Sequence, residues 1–467
     1  MAVSLKLSEP GRKKVEEKRK RNGWSANSSA WCGDACTSVA TLKRFREGKA
    51  INQEVFQKLC EAVGVNWEDV VETDVSASSQ PQITPAFSQF DESWVGREEL
   101  IPQLKDKLEE ICRVLIITGI TGIGKTALAE KLVFDLQTDW LKGDWTKFHQ
   151  ENFDNQTQSS DFVSVAVRWL EKWGQLVTQE ERKNPEQILH RLVNFLVNHR
   201  YLVVMDSLEL IMKGNEDEGW SDFEDEWWVK FFQALLASPT CQSRLILTTQ
   251  ELPGQMPSRY QNFWHPQRLS GLETSEQLAL FEKTGLDIES SSGHKPYLER
   301  IGTAYEGHPL ALRVISGEIG DQPFFGNVIA YWNKYGKEIE EVEKAIAEAK
   351  EQGIIQGAND NWILDRYSRE LRKRVRSRLE ITFSRLKQDA VNAYLLICSA
   401  SIYRCAVPPD YWLSLLEDDC EEEEQEIALE TLRDRFLFEE SVENQQYVIR
   451  QHNLIRSVTL ERLKKMD

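Results

Sequence analysis

The chain has 467 residues, 41% of them apolar, and a formal net charge of −18. That length supports three or four domains with ordinary cores, and the acidic balance excludes a protein that binds nucleic acid over its whole surface. Eight scattered cysteines fit reduced thiols and a cytoplasmic location rather than a disulfide frame.

Residues 1–74 read as a small all-α unit. A basic helix is expected from Pro10 to Arg21, with Pro in its first turn and Gly23 beyond its end. Shorter helices are expected at Ser25–Trp31, Ser38–Glu47 and Asn52–Val63, with Gly48 and Gly64 where helices stop. Residues 1–58 hold 13 Lys and Arg against 6 Asp and Glu, a basic island in an acidic chain. The stretch Ala35–Lys49 resembles the recognition region of phage-repressor-type helix-turn-helix domains. Leu42, Phe45, Val55, Phe56, Leu59 and Val63 would pack such a bundle. Ser38, Thr41, Lys43 and Arg44 are the candidates to face a DNA groove, with the basic helix tracking phosphates. A helical adaptor for a protein partner is equally compatible with this pattern. Cys32 and Cys36 lack nearby His or Cys partners, so no zinc site is expected. The N-terminus has no apolar h-region and does not read as a signal peptide.

Residues 75–93 are rich in Ser, Pro and Gln and read as a linker. From 94 to 270 strands alternate with helices, which predicts a parallel, doubly wound α/β sheet. The strand candidates are Val114–Thr118, Tyr201–Met205 and Arg244–Thr248. Between the first strand and a helix-forming stretch lies Gly119-Ile-Thr-Gly-Ile-Gly-Lys125-Thr126, the phosphate-loop pattern in its required strand–turn–helix context. Here Gly119, Thr121, Gly122, Ile123, Gly124 and Ala127 would offer backbone N–H groups to phosphates. Lys125 would reach the β- and γ-phosphates, and the Thr126 hydroxyl would ligate Mg²⁺. Asp206 ends the second strand, where an acid holds Mg²⁺ through water. The third strand ends Thr248-Thr249-Gln250, candidates to sense a terminal phosphate. The stretch 215–228 mixes acids with aromatics and reads as an acidic loop leading into a helix with core Trp residues.

Residues 271–374 and 375–467 turn helical, with a strand-like ending near Tyr447–Arg450. Gly307-His-Pro309-Leu-Ala-Leu opens a helix on a proline. Glu421–Glu424 reads as a solvated loop. The longest apolar run, near Tyr394–Tyr403, is too short to span a membrane.

Val95-Gly-Arg97-Glu, the phosphate loop, the Asp206 strand, the Thr-Thr strand end and Gly-His-Pro-Leu-Ala-Leu stand in the order of NB-ARC proteins. The chain over roughly 94–460 resembles these STAND-class P-loop NTPase switches. The resemblance implies a nucleotide domain followed by a helical ARC1 piece (271–374) and a winged-helix ARC2 piece (375–467). It implies ADP or ATP as ligand, with Val95, Arg97 and Pro309 beside the nucleotide. Gln451-His452-Asn453 resembles the family's Met-His-Asp element, which implies that His452 contacts the β-phosphate of ADP.

Two departures bear on chemistry. The family's second strand acid is Ser207 here, leaving Glu209 as a substitute for orienting water. The family's sensor arginine is Gln250, whose missing charge costs an ATP-bound state about 1.5–3 kcal/mol. Both favour slow hydrolysis and an ADP preference. No Asn-Lys-x-Asp motif for guanine is present. Nucleotide-dependent self-assembly or a protein partner is expected. Relatives carry sensor repeats after the winged helix; this sequence reads to Asp467 without them, so a separate sensor or the N-terminal unit is expected to supply the trigger.

Overall fold

The computed structural model describes residues 4–26, 28–35, 37–72, 94–154, 158–215, 220–351, 361–443 and 446–466. The linker expected at 75–93 lies outside the described residues.

The N-terminal unit runs β1 (Ser4–Leu5), α1 (Glu9–Arg21), α2 (Ser29–Asp34), α3 (Val39–Glu47), β2 (Ile51–Asn52) and α4 (Gln53–Val63). Its core is Val15, Trp31, Phe45, Phe56 and Leu59, all buried. Ser38 caps α3, its Oγ accepting the Thr41 N–H at 3.0 Å, and Gly48 ends it with a left-handed φ of 75°. Two expectations need correction. The unit is not purely helical, because β1 and β2 pair antiparallel. The helix expected at Ser25–Trp31 begins at Ser29, where the Ser28 hydroxyl provides a cap.

The central part runs α5 (Leu100–Glu109), β3 (Val114–Thr118), α6 (Lys125–Asp139), β4 (Phe148–Asn152), α7 (Phe162–Lys172) and α8 (Pro185–Asn198). It continues through β5 (Leu202–Asp206), the hairpin β6 (Met212–Asn215) and β7 (Trp220–Phe223), α9 (Glu226–Ala237), β8 (Arg244–Thr249) and β9 (Trp264–Arg268). The strands order β4-β5-β8-β3-β9, all parallel. Alternate side chains enter opposite cores, as the two-residue strand period requires. Val114, Ile116, Val203 and Leu245 pack with Trp169, Leu192 and Trp228 on one face. Leu115, Ile117, Val204 and Ile246 pack with Leu104 and Leu132 on the other.

That second core continues without a break into α10 (Thr274–Lys283), α11 (Lys295–Ala304), α12 (Pro309–Gly320) and α13 (Val328–Glu351) through Phe281, Ile301, Leu312 and Tyr331. The long helix α14 (Asn361–Asp389) leads to α15 (Val391–Ser399), α16 (Pro409–Leu413), α17 (Glu422–Asp434), the hairpin β10 (Glu439–Glu443) and β11 (Gln446–Arg450), and α18 (Asn453–Leu463). Phe383, Ile397, Trp412, Leu432 and Val458 form the core here. Glu421–Glu424 is not a loop: Glu421 precedes α17 and the three following acids make its first turn, where the helix dipole favours negative charge. Among the described residues no helix is long and apolar enough to cross a membrane.

Candidate nucleotide site

The three central strands β5, β8 and β3 bring Asp206, the Thr-Thr strand end and the loop 119–126 to one edge of the sheet, the edge where ligands bind in open parallel sheets. Gly119, Gly122 and Gly124 take φ of 153°, 84° and 96°, which only glycine adopts readily. A Cβ on Gly122 would lie 2.9 Å from both His308 Cε1 and Leu310 Cδ2, so the loop is packed against the start of α12 as well as curled.

Lys125 is buried, and its Nζ donates to the carbonyls of Gly119 (2.9 Å) and Ile120 (3.3 Å). Burial lowers its pKa, opposed by the charges of Glu209 and Asp206. The Thr126 hydroxyl donates to Asp206 Oδ1 at 2.8 Å. Thr248 donates to the same oxygen at 2.5 Å and accepts from the Ser207 N–H at 3.0 Å. Thr249 directs its hydroxyl to the Glu251 carbonyl at 3.0 Å. Of the two threonines it is therefore Thr248 that meets the carboxylate. Gln250 Nε2 donates to Glu209 Oε1 at 3.4 Å. Burial raises the Glu209 pKa, opposed by Lys125, and its Oε2 is buried with no hydrogen-bond partner.

Arg97, itself at a left-handed φ of 63°, reaches back to the loop. Its Nη2 donates to the Ile123 carbonyl at 2.7 Å and to Ser270 at 3.3 Å, while its backbone N–H donates to Glu276. It ties the phosphate loop to the chain entering α10. Val95 packs against the core beneath.

Two histidines approach from the helical part. His308 caps α12, with Pro309 in the first turn. Its Nδ1 accepts the Ala311 N–H at 3.3 Å, so Nε2 carries the proton and donates to the Thr121 carbonyl at 3.1 Å. Burial lowers its pKa to about 3, keeping it neutral. His452 caps α18, and its Nδ1 accepts the Leu454 N–H at 3.2 Å. Its pKa is lowered too, first by burial. Both imidazoles feel the Lys125 charge. Sequence reasoning singled out His452 and passed over His308, although a polar residue directly before a first-turn proline is itself the signal of a cap.

Two more groups went unnoticed. Glu439 accepts from Arg450 Nε at 2.8 Å. Burial alone would raise the Glu439 carboxyl, but Arg450 and His452 outweigh it. Glu439, Asp206 and Glu130 all raise the pKa of Arg450, which therefore brings a cation from the C-terminal hairpin to the Asp206 corner. Burial, and then Asp206, push Glu130 up to about 7.

The four residues nominated for DNA are covered. Ser38 Oγ and Thr41 Oγ1 (2.6 Å) donate to Asp434 Oδ2, and Arg44 Nη2 donates to Asp434 Oδ1 at 2.8 Å. Lys43 Nζ donates to the Lys283 carbonyl.

A glycine loop between a central strand and its helix, with a lysine, a threonine and a strand-end aspartate at one sheet edge, defines a nucleotide-binding P-loop NTPase. Within that class, residues 97–290 match the NB-ARC domain family. It is 28% identical over 360 residues to an uncharacterised WD repeat-containing protein of Nostoc sp. (strain PCC 7120), covering 69% of this chain and 28% of that protein. It is 26% identical over 126 residues to the ATP-dependent protease ATPase subunit HslU of Bacillus mycoides, covering 26% of each. The chain thus spans under a third of the length of these relatives. Among solved structures it resembles a STAND protein with a tetratricopeptide repeat sensor from Pyrococcus horikoshii (TM-score 0.45, 14% identity, 79% of this chain and 42% of that one). It also resembles the ORC2 protein of Aeropyrum pernix (TM-score 0.34, 14% identity, 81% and 97%). Neither structural likeness is close enough to support an assignment.

Proposed function

We propose that the chain is an adenine-nucleotide-gated switch. ADP holds it closed, exchange for ATP opens it to signal or assemble, and hydrolysis is slow. The observation that carries this reading is that His308 donates to the Thr121 carbonyl of the phosphate loop, while His452, from the C-terminal helical segment, lies close enough to feel the charge of Lys125. His308 spends its Nε2 proton on the loop carbonyl and so holds the loop, whereas His452, whose Nδ1 accepts a backbone N–H, keeps its proton on Nε2, the form that donates to a phosphate oxygen. A diphosphate in the loop would therefore join three parts of the chain. In this reading residues 271–374 act as the ARC1-like piece and 375–467 as a winged-helix ARC2-like piece that swings away on exchange.

The donor set fits a magnesium nucleotide. Thr126 and Asp206 supply the hard oxygens Mg²⁺ prefers, and the Glu209 oxygen without a partner faces the same pocket of charge. Mg²⁺ would neutralise phosphate charge there. Lys125 would leave the loop carbonyls for the β- and γ-oxygens, and Glu209, held by Gln250, would orient water in place of the missing second acid. Nucleotide can drive such a change only by binding the two states unequally, and near-complete conversion needs about 5.5 kcal/mol of difference.

The test is to denature the purified chain and identify the released nucleotide by chromatography. ADP at near-equal stoichiometry is expected. An empty site, or turnover of many ATP per second, would overturn the reading. The alternative, a nucleotide-regulated DNA-binding regulator, gains weight from one feature of the N-terminal unit.

A further inference from the structure

Asp434 lies at the C-terminal end of α17, some 390 residues beyond α3, yet its carboxylate is gripped from three directions by α3. Ser38 Oγ and Thr41 Oγ1 donate to one oxygen, and Arg44 Nη2 donates to the other. The Thr41 hydroxyl also accepts from Arg44 Nη2 at 2.9 Å, which fixes the guanidinium. Ser38, Thr41 and Asp434 are nearly buried, at 4, 3 and 8% exposure. The Arg44 Nε–H is buried and makes no hydrogen bond. A guanidinium fork is built for two oxygens, and the carboxylate engages only one of its nitrogens. A tetrahedral anion with more oxygens would use the fork better.

The surroundings say which anion. The cradle belongs to a basic part of an acidic chain, and α1 beside it leaves Arg12, Lys13, Lys14, Lys20 and Arg21 exposed. Several exposed cations around one helix suit the spaced phosphates of a duplex backbone better than a single acidic side chain. The cradle cannot reach a duplex while it is docked. Val39 is fully buried, and its side chain lies against Gly285 and Gly326 so closely that a Cβ there would fall 2.8 and 2.6 Å from it. Lys43 is capped by a carbonyl of α10.

We propose that Asp434 is a built-in stand-in for a DNA phosphate. In the closed chain its carboxylate fills the cradle formed by Ser38, Thr41 and Arg44. When the C-terminal piece moves, the same three side chains become free to take a backbone phosphate of double-stranded DNA. This rests on the switch reading for the movement, but the competition between carboxylate and phosphate can be tested without nucleotide exchange.

The probe is a short fluorescein-labelled DNA duplex of mixed sequence, titrated by anisotropy at several salt concentrations with the full chain. Asp434→Lys repels Arg44 and empties the cradle, and Glu424→Lys adds the same charge to the exposed start of the same helix. Asp434→Asn keeps the shape and removes only the charge. Asp434→Lys is expected to bind at least about tenfold tighter than the parent and than Glu424→Lys, with a salt slope steeper by about one to two phosphates. Asp434→Asn is expected to give a smaller gain in the same direction. Adding Arg44→Ala to either Asp434 variant should abolish the gain. Equal affinity of Asp434→Lys and Glu424→Lys overturns the proposal, as does a gain that survives loss of Arg44. So does self-assembly of the Asp434 variants without higher affinity for the duplex. Bound nucleotide is measured on the same samples. An Asp434→Asn chain that keeps its nucleotide yet gains no DNA affinity sinks this inference alone, whereas a parent chain without nucleotide sinks the switch.

Discussion

The phosphate loop and the α3 cradle are both anion-shaped, but they are built over different distances. Lys125 donates to carbonyls five and six residues away, and its curl is imposed by glycines within the same eight residues. The cradle exists only because Ser38, Thr41 and Arg44 meet a residue 390 to 396 positions later. Short-range geometry persists whatever the rest of the chain does. Long-range geometry reports the arrangement of the whole molecule. The first therefore suits a site that binds in every state, and the second suits a contact that one state makes and another breaks.

The largest expected effect separates the two. Lys125→Ala removes the one ammonium of the loop and should weaken nucleotide binding at least about 100-fold, equivalent to about 2.7 kcal/mol. The nucleotide released on denaturation should fall from near stoichiometric to near zero. The cradle should be affected only through the state of the chain, not directly. Equal nucleotide content in parent and variant would break the comparison at its root.

His452→Ala is expected to cost about tenfold, or about 1.4 kcal/mol, in ADP affinity while leaving ATP nearly unchanged. Calorimetry with each nucleotide checks it, and an equal loss for both would mean that His452 does not distinguish the states. On the other side of the comparison, Arg44→Ala and Asp434→Ala should show a coupling of about 1 kcal/mol in a double-mutant cycle of thermal stability. Both partners are mostly shielded, at 19 and 10% side-chain exposure. Strictly additive effects would mean that the clamp contributes nothing to the closed form.

The same contrast explains what the sequence disclosed. The central strands β3, β5 and β8 are legible because both their faces are buried and their residues run apolar. The edge strands β4 (Phe-His-Gln-Glu-Asn) and β9 (Trp-His-Pro-Gln-Arg) are not. An edge tolerates proline and polar residues, so neither shows a strand period. Of the motif residues, Thr126 and Asp206 meet directly, while Lys125 turns to the carbonyls of its own loop. His308, Arg450 and Glu130 were missed because each acquires its role only from lobes that fold back on the loop. Ser38, Thr41, Lys43 and Arg44 read as candidates to face DNA, but nothing in the sequence says that an acid near residue 434 covers three of them.

The smallest expected effect lies where the two kinds of geometry touch. Glu130 belongs to α6, behind the phosphate loop. Burial and the Asp206 charge raise it to about 7 from an ordinary 4.5, while Arg450 of the C-terminal hairpin pulls the other way. A raised carboxyl pKa means that the folded chain holds its proton more tightly than the unfolded chain. Its contribution to stability is therefore complete below the ordinary value and declines as pH rises through the window up to about 7. Glu130→Gln stays neutral throughout and lacks this slope. Between about pH 5 and about pH 7.5 the parent's melting temperature should fall relative to that of Glu130→Gln by about 2 °C. Parallel curves would show that Glu130 titrates as an ordinary surface acid. Arg450→Ala sharpens the result, because removing the opposing cation should raise the Glu130 pKa further and steepen the fall. If Arg450→Ala leaves the slope unchanged, the C-terminal hairpin does not reach the phosphate-loop corner in solution, and the closed arrangement loses its electrostatic link between loop and lobe.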